Sequence, residues 1–459
     1  MGSPYVIVSL ILNILGIVDI TDIFLLYLFV LYNNMGGAGS SICLIIAIIL
    51  YSANKYSKRI SVISIIPSIF NINETITYGL PILFNPIYIV PLTLTPIVLY
   101  AIAQGAFVLG LVEIVNNMDM SWIHPVLFNA YKLTGGFSGL ILQIINIIVG
   151  VAIYTPFVKI ADNMSKIERQ GAYEKLKNTI FSGDLEKLDL SSGTDSMGEI
   201  SIYLGEELKE ILTGRRKNEG ELYLEYQPQL NKERKVVGVE ALLRWKYEEF
   251  GNIPPNIIVL IAEEVGLIYP LGKWIAKEAI EQLSIWDKEL EKKIDMSINV
   301  STKQLTDDTF ASYIKDIIKI YNVNPNNIKV EITESFAIGE DEVTKKQLTK
   351  LTEYGVKLAI DDFGVGYNPL LYIKKYNIDC IKIDGSLIRD IDKNEESKSI
   401  VSSVYSLCDS TGITVINEFV ETEKHKAVLD KMGDGLYQGY LFSKPLKADA
   451  CIKYIKNNI

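Results

Sequence analysis

The chain has 459 residues, with 45 Lys and Arg against 55 Asp and Glu and only two histidines. That length allows two or three domains, and a hydrophobic fraction of 49% with mean hydropathy +0.21 excludes a disordered chain. A net charge of −10 argues against binding nucleic-acid polymer, while four scattered cysteines and the pair His124 and His425 exclude a disulfide scaffold, a structural zinc and a histidine metal cluster.

Composition changes along the chain. Residues 1–160 hold five basic and five acidic side chains, so 40 basic and 50 acidic ones, and all the net charge, fall in 161–459. The first part reads as a membrane region and the second as soluble. Apolar stretches run over 5–32, 38–52, 61–70, 80–114 and 136–158. A helix crossing ~30 Å of hydrocarbon needs ~20 such residues. Stretches 80–114 and 136–158 meet that requirement; 38–52 is short, and 5–32 is interrupted by Asp19 and Asp22. The start lacks basic residues and its apolar material continues far beyond a cleavage site, which argues against a signal peptide.

Lysine and arginine set the orientation. The loop Lys55-Tyr56-Ser57-Lys58-Arg59 and the exit after Lys159 are basic, so both are expected in the cytoplasm. This predicts a multi-pass protein of the inner (cytoplasmic) membrane, with its soluble half in the cytoplasm. The two flanks agree if 61–80 re-enters without crossing, broken at Asn71-Ile72-Asn73-Glu74. A connector over 161–219 has helical spacing in 163–189 and Glu206–Arg216. It reads as a solvated linker helix, with a signalling helix as the alternative.

From 220 to 459, strand-like runs alternate with amphipathic ones. Predicted strands are Leu222–Gln227, Val236–Leu243, Asp295–Val300, Ile328–Thr333, Val356–Ile360, Cys380–Ile383, Ile413–Ile416 and Gly435–Leu441. Helical segments fall at 257–293, 308–322, 341–354, 396–411 and 422–432. The alternation predicts an α/β TIM-like (β/α)8 barrel. Glu240, Asn299, Glu331, Asp361, Asp362, Lys382 and Glu418 each lie in or just beyond such a strand. Barrel strand ends converge on one face, and carboxylate and amide oxygens suit Mg²⁺ or Mn²⁺. The adjacent pair Asp361-Asp362 offers oxygens to each of two metals. Singly, a strand-end acid could cap a helix or pair with a lysine; seven such polar residues at successive strand ends favour a site.

The run Glu240-Ala241-Leu242-Leu243-Arg244-Trp245 resembles the signature of the EAL family of cyclic di-GMP phosphodiesterases. Tyr226-Gln227-Pro228, Asn299-Val300-Ser301, Glu331-Ile332-Thr333-Glu334, Asp361-Asp362-Phe363-Gly364, Lys382-Ile383-Asp384, Glu418-Phe419-Val420-Glu421 and Gln438-Gly439 follow in the family's order over about 220–450. The resemblance implies two divalent cations and hydrolysis of cyclic di-GMP to linear pGpG. It assigns Glu240, Asn299, Glu331 and Asp361 to the first metal, and Asp361, Asp362 and Glu418 to the second. Lys382, Glu240 and Glu418 would be catalytic. Arg244 would meet a phosphate, Gln227 and Gln438 would bind substrate, and Glu334 would pin the Asp361–Gly366 loop, which borders a homodimer contact in the family. Asn417 stands where the family has Ala and Phe419 where it has Gly, and a bulky residue there disfavours positive φ.

Met35-Gly36-Gly37-Ala38-Gly39, Phe70-Asn71-Ile72-Asn73-Glu74, Gly79-Leu80-Pro81 and Asn85-Pro86 resemble part of the sugar permease enzyme IIC of the lactose/cellobiose phosphotransferase system. Trp122-Ile123-His124-Pro125 and Tyr154-Thr155-Pro156-Phe157 extend the likeness over about 31–160. This implies a disaccharide as candidate ligand, with Glu74 and Asn73 as its contacts. The leading expectation is a membrane-anchored phosphodiesterase regulated by the permease-like half, 1–160. The alternatives are a catalytically weak cyclic di-GMP receptor and a sugar transporter component with a regulatory barrel.

Overall fold

The computed structural model describes residues 35–80, 82–113, 124–183, 195–214, 220–333, 342–364, 373 and 376–459. The chain divides into two compact units, residues 1–169 and 170–459.

In the first unit the helices are Ser41–Tyr51, Lys55–Ile69, Glu74–Gly79, Pro86–Val108, Val126–Thr134 and the start of Phe137–Phe181. Pro86–Val108 and Phe137–Phe181 are long and apolar enough to cross a membrane, and they lie at the two stretches expected. Pro86 opens its helix where no backbone donor is needed, and the Asn85 side chain accepts from the Ile87 amide at 3.0 Å. The basic cluster differs from expectation. Lys55, Lys58 and Arg59 lie on a helix rather than in a loop, because Asn54 caps it by accepting from the Ser57 amide at 3.1 Å.

The break expected near residue 71 is present. Asn71 has φ +62°, its Oδ1 accepts from the Gly36 amide at 3.0 Å, and its Nδ2 donates to the His124 carbonyl at 3.3 Å. Backbone that leaves the helical pattern away from water requires such internal partners. Glu74 follows as the exposed first residue of Glu74–Gly79, and Asn73 donates from Nδ2 to Ser41 Oγ at 3.4 Å. Asp19, Asp22 and the 5–32 stretch lie outside the described residues.

The second unit is a closed barrel. Its strands are β1 (Gly220–Leu230), β2 (Val236–Tyr247), β4 (Asp295–Asn299), β5 (Ile328–Thr333), β6 (Lys357–Phe363), β7 (Cys380–Ile383), β8 (Thr414–Asn417) and β9 (Leu436–Tyr437), with β3 (Gly251–Ile253) added outside on β2. Strands β2 and β4 through β9 pair in parallel. The first strand is the exception to a uniform (β/α)8 pattern: β1 is antiparallel to both β2 and β9, because only a short turn joins it to β2. The amphipathic segment expected over 257–293 is two helices, Pro255–Glu264 and Ile268–Glu289, separated at Gly266 with φ +71°.

In its described helical parts the connector packs on the barrel and is not a solvated linker. Helix Ser196–Leu212 starts on Asp195, whose carboxylate accepts from the Gly198 amide at 2.8 Å. It buries Met197, Ile200, Leu204 and Leu208, a three-to-four spacing, in the same hydrophobic cluster as the barrel's Leu222, Trp245 and Ile261. Tyr173 and Leu176 join that cluster, with the Tyr173 ring 4.7 Å from that of Phe250. Tyr203 and Tyr247 share a hydroxyl–hydroxyl hydrogen bond of 3.0 Å. Leu204→Ala or Leu208→Ala should therefore destabilise the second unit by about 2–5 kcal/mol, as core truncations do. Chemical denaturation of the full chain, followed by tryptophan fluorescence, checks this; a shift below about 0.5 kcal/mol would return the helix to solvent.

Candidate active site

Strand alternation builds the site. On β1, Glu225, Gln227 and Gln229 share one face, while Tyr226 points the other way, its ring 4.8 Å from that of Trp286. On β2, Glu240, Leu242 and Arg244 line a cleft of about 250 Å³ together with Gln227, Glu418, Phe419, Glu421, Gln438 and Tyr440. The register sets Gln227 opposite Glu240 and Asn299 beside Glu331.

Adjacent strand residues normally face opposite ways. The Asp361-Asp362 pair escapes that rule because the β6–β7 register shifts between Ile360 and Phe363, and Asp362 takes φ +56°. Asp361 then contributes to two acid clusters, one with Glu240 and Glu331 and one with Asp362 and Glu418.

Lys382 lies at the centre, 1% exposed at its side chain. Its Nζ is 2.7 Å from Glu331, 2.9 Å from Glu418, 3.0 Å from Asp361 and 3.2 Å from Glu240. Burial opposes its charge, but these carboxylates hold its pKa well above the ordinary lysine value. Burial also pushes the acids up: Glu331 and Glu418 to about 8, and Asp362 to about 6 with help from Asp361. In Glu240 burial acts the same way, yet Lys382 and donated hydrogen bonds from Gln438 and Asn299 hold it below the usual carboxylate range. Those donors are Gln438 Nε2 at 2.5 Å and Asn299 Nδ2 at 2.6 Å.

The donor set fits divalent cations. It is all oxygen, it presents more carboxylates than Lys382 can neutralise, and Glu331 Oε1 is buried with no hydrogen-bond partner.

Around this centre, Gln438 Nε2 also reaches Gln227 Oε1 at 3.2 Å, Gln229 Nε2 donates to Gln438 Oε1 at 3.0 Å, and Gln227 Nε2 donates to the Ser443 carbonyl at 3.1 Å. Arg244 lies at the cleft, where its Nε donates to Glu225 at 2.8 Å and Nη1 to the Leu243 carbonyl at 2.9 Å. Glu334 lies outside the described residues, as does the loop beyond Gly364.

Sequence reasoning missed Glu225 and Gln229, although their i, i+2 spacing from Gln227 was visible. The structure explains Asn417: it is buried, and its Nδ2 donates to the Tyr405 hydroxyl at 2.7 Å and the Leu436 carbonyl at 3.0 Å, tying β8 to β9 beside Glu418. Phe419 corrects the expectation that a bulky residue avoids positive φ. It adopts φ +50°, a conformation costing a non-glycine residue roughly 1–2 kcal/mol.

An eight-stranded barrel gathering acids, an amide and one lysine at its strand ends defines a TIM-like barrel with acid clusters that could hold metal ions. Residues 210–445 match the EAL domain family, and the chain belongs to that family. Residues 20–96 match the phosphotransferase system EIIC family; the Trp122–Pro125 and Tyr154–Phe157 motifs lie outside that match. Among curated proteins, the cyclic di-GMP phosphodiesterase PdeR of Escherichia coli (strain K12) is 36% identical over 237 residues, 51% of this chain and 36% of PdeR. Signaling protein YkoW of Bacillus subtilis (strain 168) is 36% identical over 234 residues, 50% of this chain and 29% of YkoW. The chain spans about a third of the length of these relatives. Among solved structures, the EAL enzyme Bd1971, in a form with cAMP and cyclic di-GMP bound, is similar with TM-score 0.53 and 32% identity over 57% of this chain and 70% of that one. The PaMucR phosphodiesterase in its c-di-GMP complex gives TM-score 0.50 and 30% identity over 54% of this chain and 98% of that one.

The acids also make stability depend on pH. Glu331, Glu418 and Asp362 titrate higher folded than unfolded, so the folded chain binds more protons between about pH 4.5 and 8. Without metal, stability should fall as pH rises through that window; Glu240, shifted the other way, titrates below it. A divalent cation held by these acids would displace those protons, so Mg²⁺ or Mn²⁺ should raise the Tm more at about pH 8 than at about pH 5. Thermal melts in chelator and in each cation check this. A Tm in chelator that does not fall with pH contradicts it.

Proposed function

We propose that this protein is a membrane-associated cyclic di-GMP phosphodiesterase that yields linear pGpG and uses two Mg²⁺ or Mn²⁺ ions. The observation that carries the reading is Lys382 buried among Glu240, Glu331, Asp361 and Glu418, beside a cleft lined by Arg244, Gln227 and Gln438. Membership of the EAL family supports the reaction class, and the names of PdeR and of the PaMucR complex support the substrate. The EIIC match and two apolar helices support the membrane association.

Glu240, Asn299, Glu331 and Asp361 would hold one cation, and Asp361, Asp362 and Glu418 the other. Bound there, the cations would supply Lewis acidity toward the phosphate and lower the pKa of water. The chain's own residues do the rest. Lys382 keeps its proton and faces the charge that gathers on the phosphate oxygens in the transition state. Arg244 offers a planar fork suited to a phosphate, and Glu225 holds that fork at the rim until substrate arrives. Gln227 and Gln438 present amide groups to the ligand. Water attacks phosphorus, the P–O3′ bond breaks, one water proton ends on the leaving O3′, and the ring opens to a linear dinucleotide with a 5′-phosphate and a free 3′-hydroxyl. The homodimer and the disaccharide contact at Glu74 and Asn73 rest on the two family resemblances. Phe419, strained beside Glu418, favours the second reading, a slow enzyme acting as a receptor.

The test is the full chain in detergent with cyclic di-GMP and Mg²⁺ or Mn²⁺, with products separated by chromatography. Linear pGpG is the expected product, and excess chelator should abolish it. Lys382→Ala should lower turnover about 10²-fold or more, with a smaller change in KM because Arg244 remains. Wild-type turnover in chelator or in Lys382→Ala would refute the mechanism.

A further inference from the structure

Phe419 is the residue of the cleft that fits least well with a purely structural role. It follows a candidate metal ligand, holds a left-handed backbone conformation, and as a residue is still 41% exposed. A side chain that only filled space would be buried, and glycine would hold the same backbone without strain. The ring is also held in place. A Cβ on Gly385 would collide with it, so the absent side chain there makes the seat for the ring. The Arg389 guanidinium lies over the ring, 4.6 Å from its centroid. Gly385 opens and Arg389 caps the short helix Gly385–Ile388 that follows Lys382, so the ring bridges the ends of β7 and β8. It lines the cleft together with Arg244 and Gln227.

We propose that Phe419 is a base-stacking residue, whose fixed ring takes one purine base of a cyclic purine dinucleotide entering the cleft. The proposal rests on the cyclic di-GMP reading above and adds a contact that the glycine at this position in the family pattern cannot make. Aromatic rings stack on nucleobases through their π-faces, and the exposure of Phe419 in the cleft gives a base access to it. Arg244 then meets a phosphate while Phe419 holds the base, so the two contacts fix the ring's orientation toward Lys382.

Kinetics and binding on the full chain in detergent test this, with wild type, F419Y, F419W, F419L and F419G. KM for cyclic di-GMP is read in Mg²⁺, and Kd by calorimetry in Ca²⁺. Loss of the ring in F419L and F419G should raise both constants about tenfold, while F419Y and F419W stay within about twofold of wild type. The introduced tryptophan in F419W should be quenched by cyclic di-GMP. F419L with wild-type KM and Kd overturns the proposal, as does F419G binding more tightly than wild type, which would make the ring an obstruction. Wild type that binds without hydrolysis overturns the enzyme reading alone, and the Kd series still decides on stacking. Wild type that neither binds nor hydrolyses overturns both.

Discussion

The barrel is organised around one buried ammonium group. Lys382 contacts carboxylates from β2, β5, β6 and the end of β8, all within 3.2 Å. Burying that many acids is unfavourable unless their charge is met, and a single lysine meets only part of it. The remainder has to be taken by protons or by cations. This imbalance accounts for the raised Glu331, Glu418 and Asp362 and for the unpartnered Glu331 oxygen. It also accounts for the amide donors Asn299 and Gln438, which satisfy Glu240 without adding charge.

Strand geometry then decides which acids can take part. The parallel register sets Asp361 opposite Thr333, two residues beyond Glu331, so the Lys382 ammonium spans two successive levels of acids, and the irregular register of β6 turns Asp362 toward the same region. The antiparallel β1 supplies a row of side chains from mid-strand instead of one from its tip. That is why Glu225, Gln227 and Gln229 can serve the rim, the cleft and the network behind it at once.

Most of the barrel was legible because each strand is a short apolar run ending in a polar residue, a pattern that local sequence states directly. The direction of β1 was not, since a strand's alternation is the same whichever way it runs. The bulge at Asp362 was hidden for a related reason: backbone φ is set by pairing with β7, which is distant in sequence. The connector misled because charged residues on its outer face mask a regular stripe at Met197, Ile200, Leu204 and Leu208. Phe419 misled through propensity. Tertiary contacts with Gly385 and Arg389 override the backbone preference of a bulky residue. In the first unit the apolar stretches located the two long helices, but hydropathy could not distinguish a basic loop from the capped helix at Lys55.

The closing seam of the barrel has a kinetic consequence. Between β1 and β9 the backbone register is a single pair, Leu230 with Tyr437, and beside it Gln227, Gln229 and Gln438 join residues 209 to 211 positions apart in sequence. Contacts so distant carry a large loop-closure entropy and form late when a chain folds. The amides that complete the cleft are the same ones that latch the cylinder shut. A barrel caught before closure would keep most of its strand pairing yet have no assembled pocket. Ligand competence therefore reports that the last step of folding has been taken, and a bound ligand would hold that latch closed.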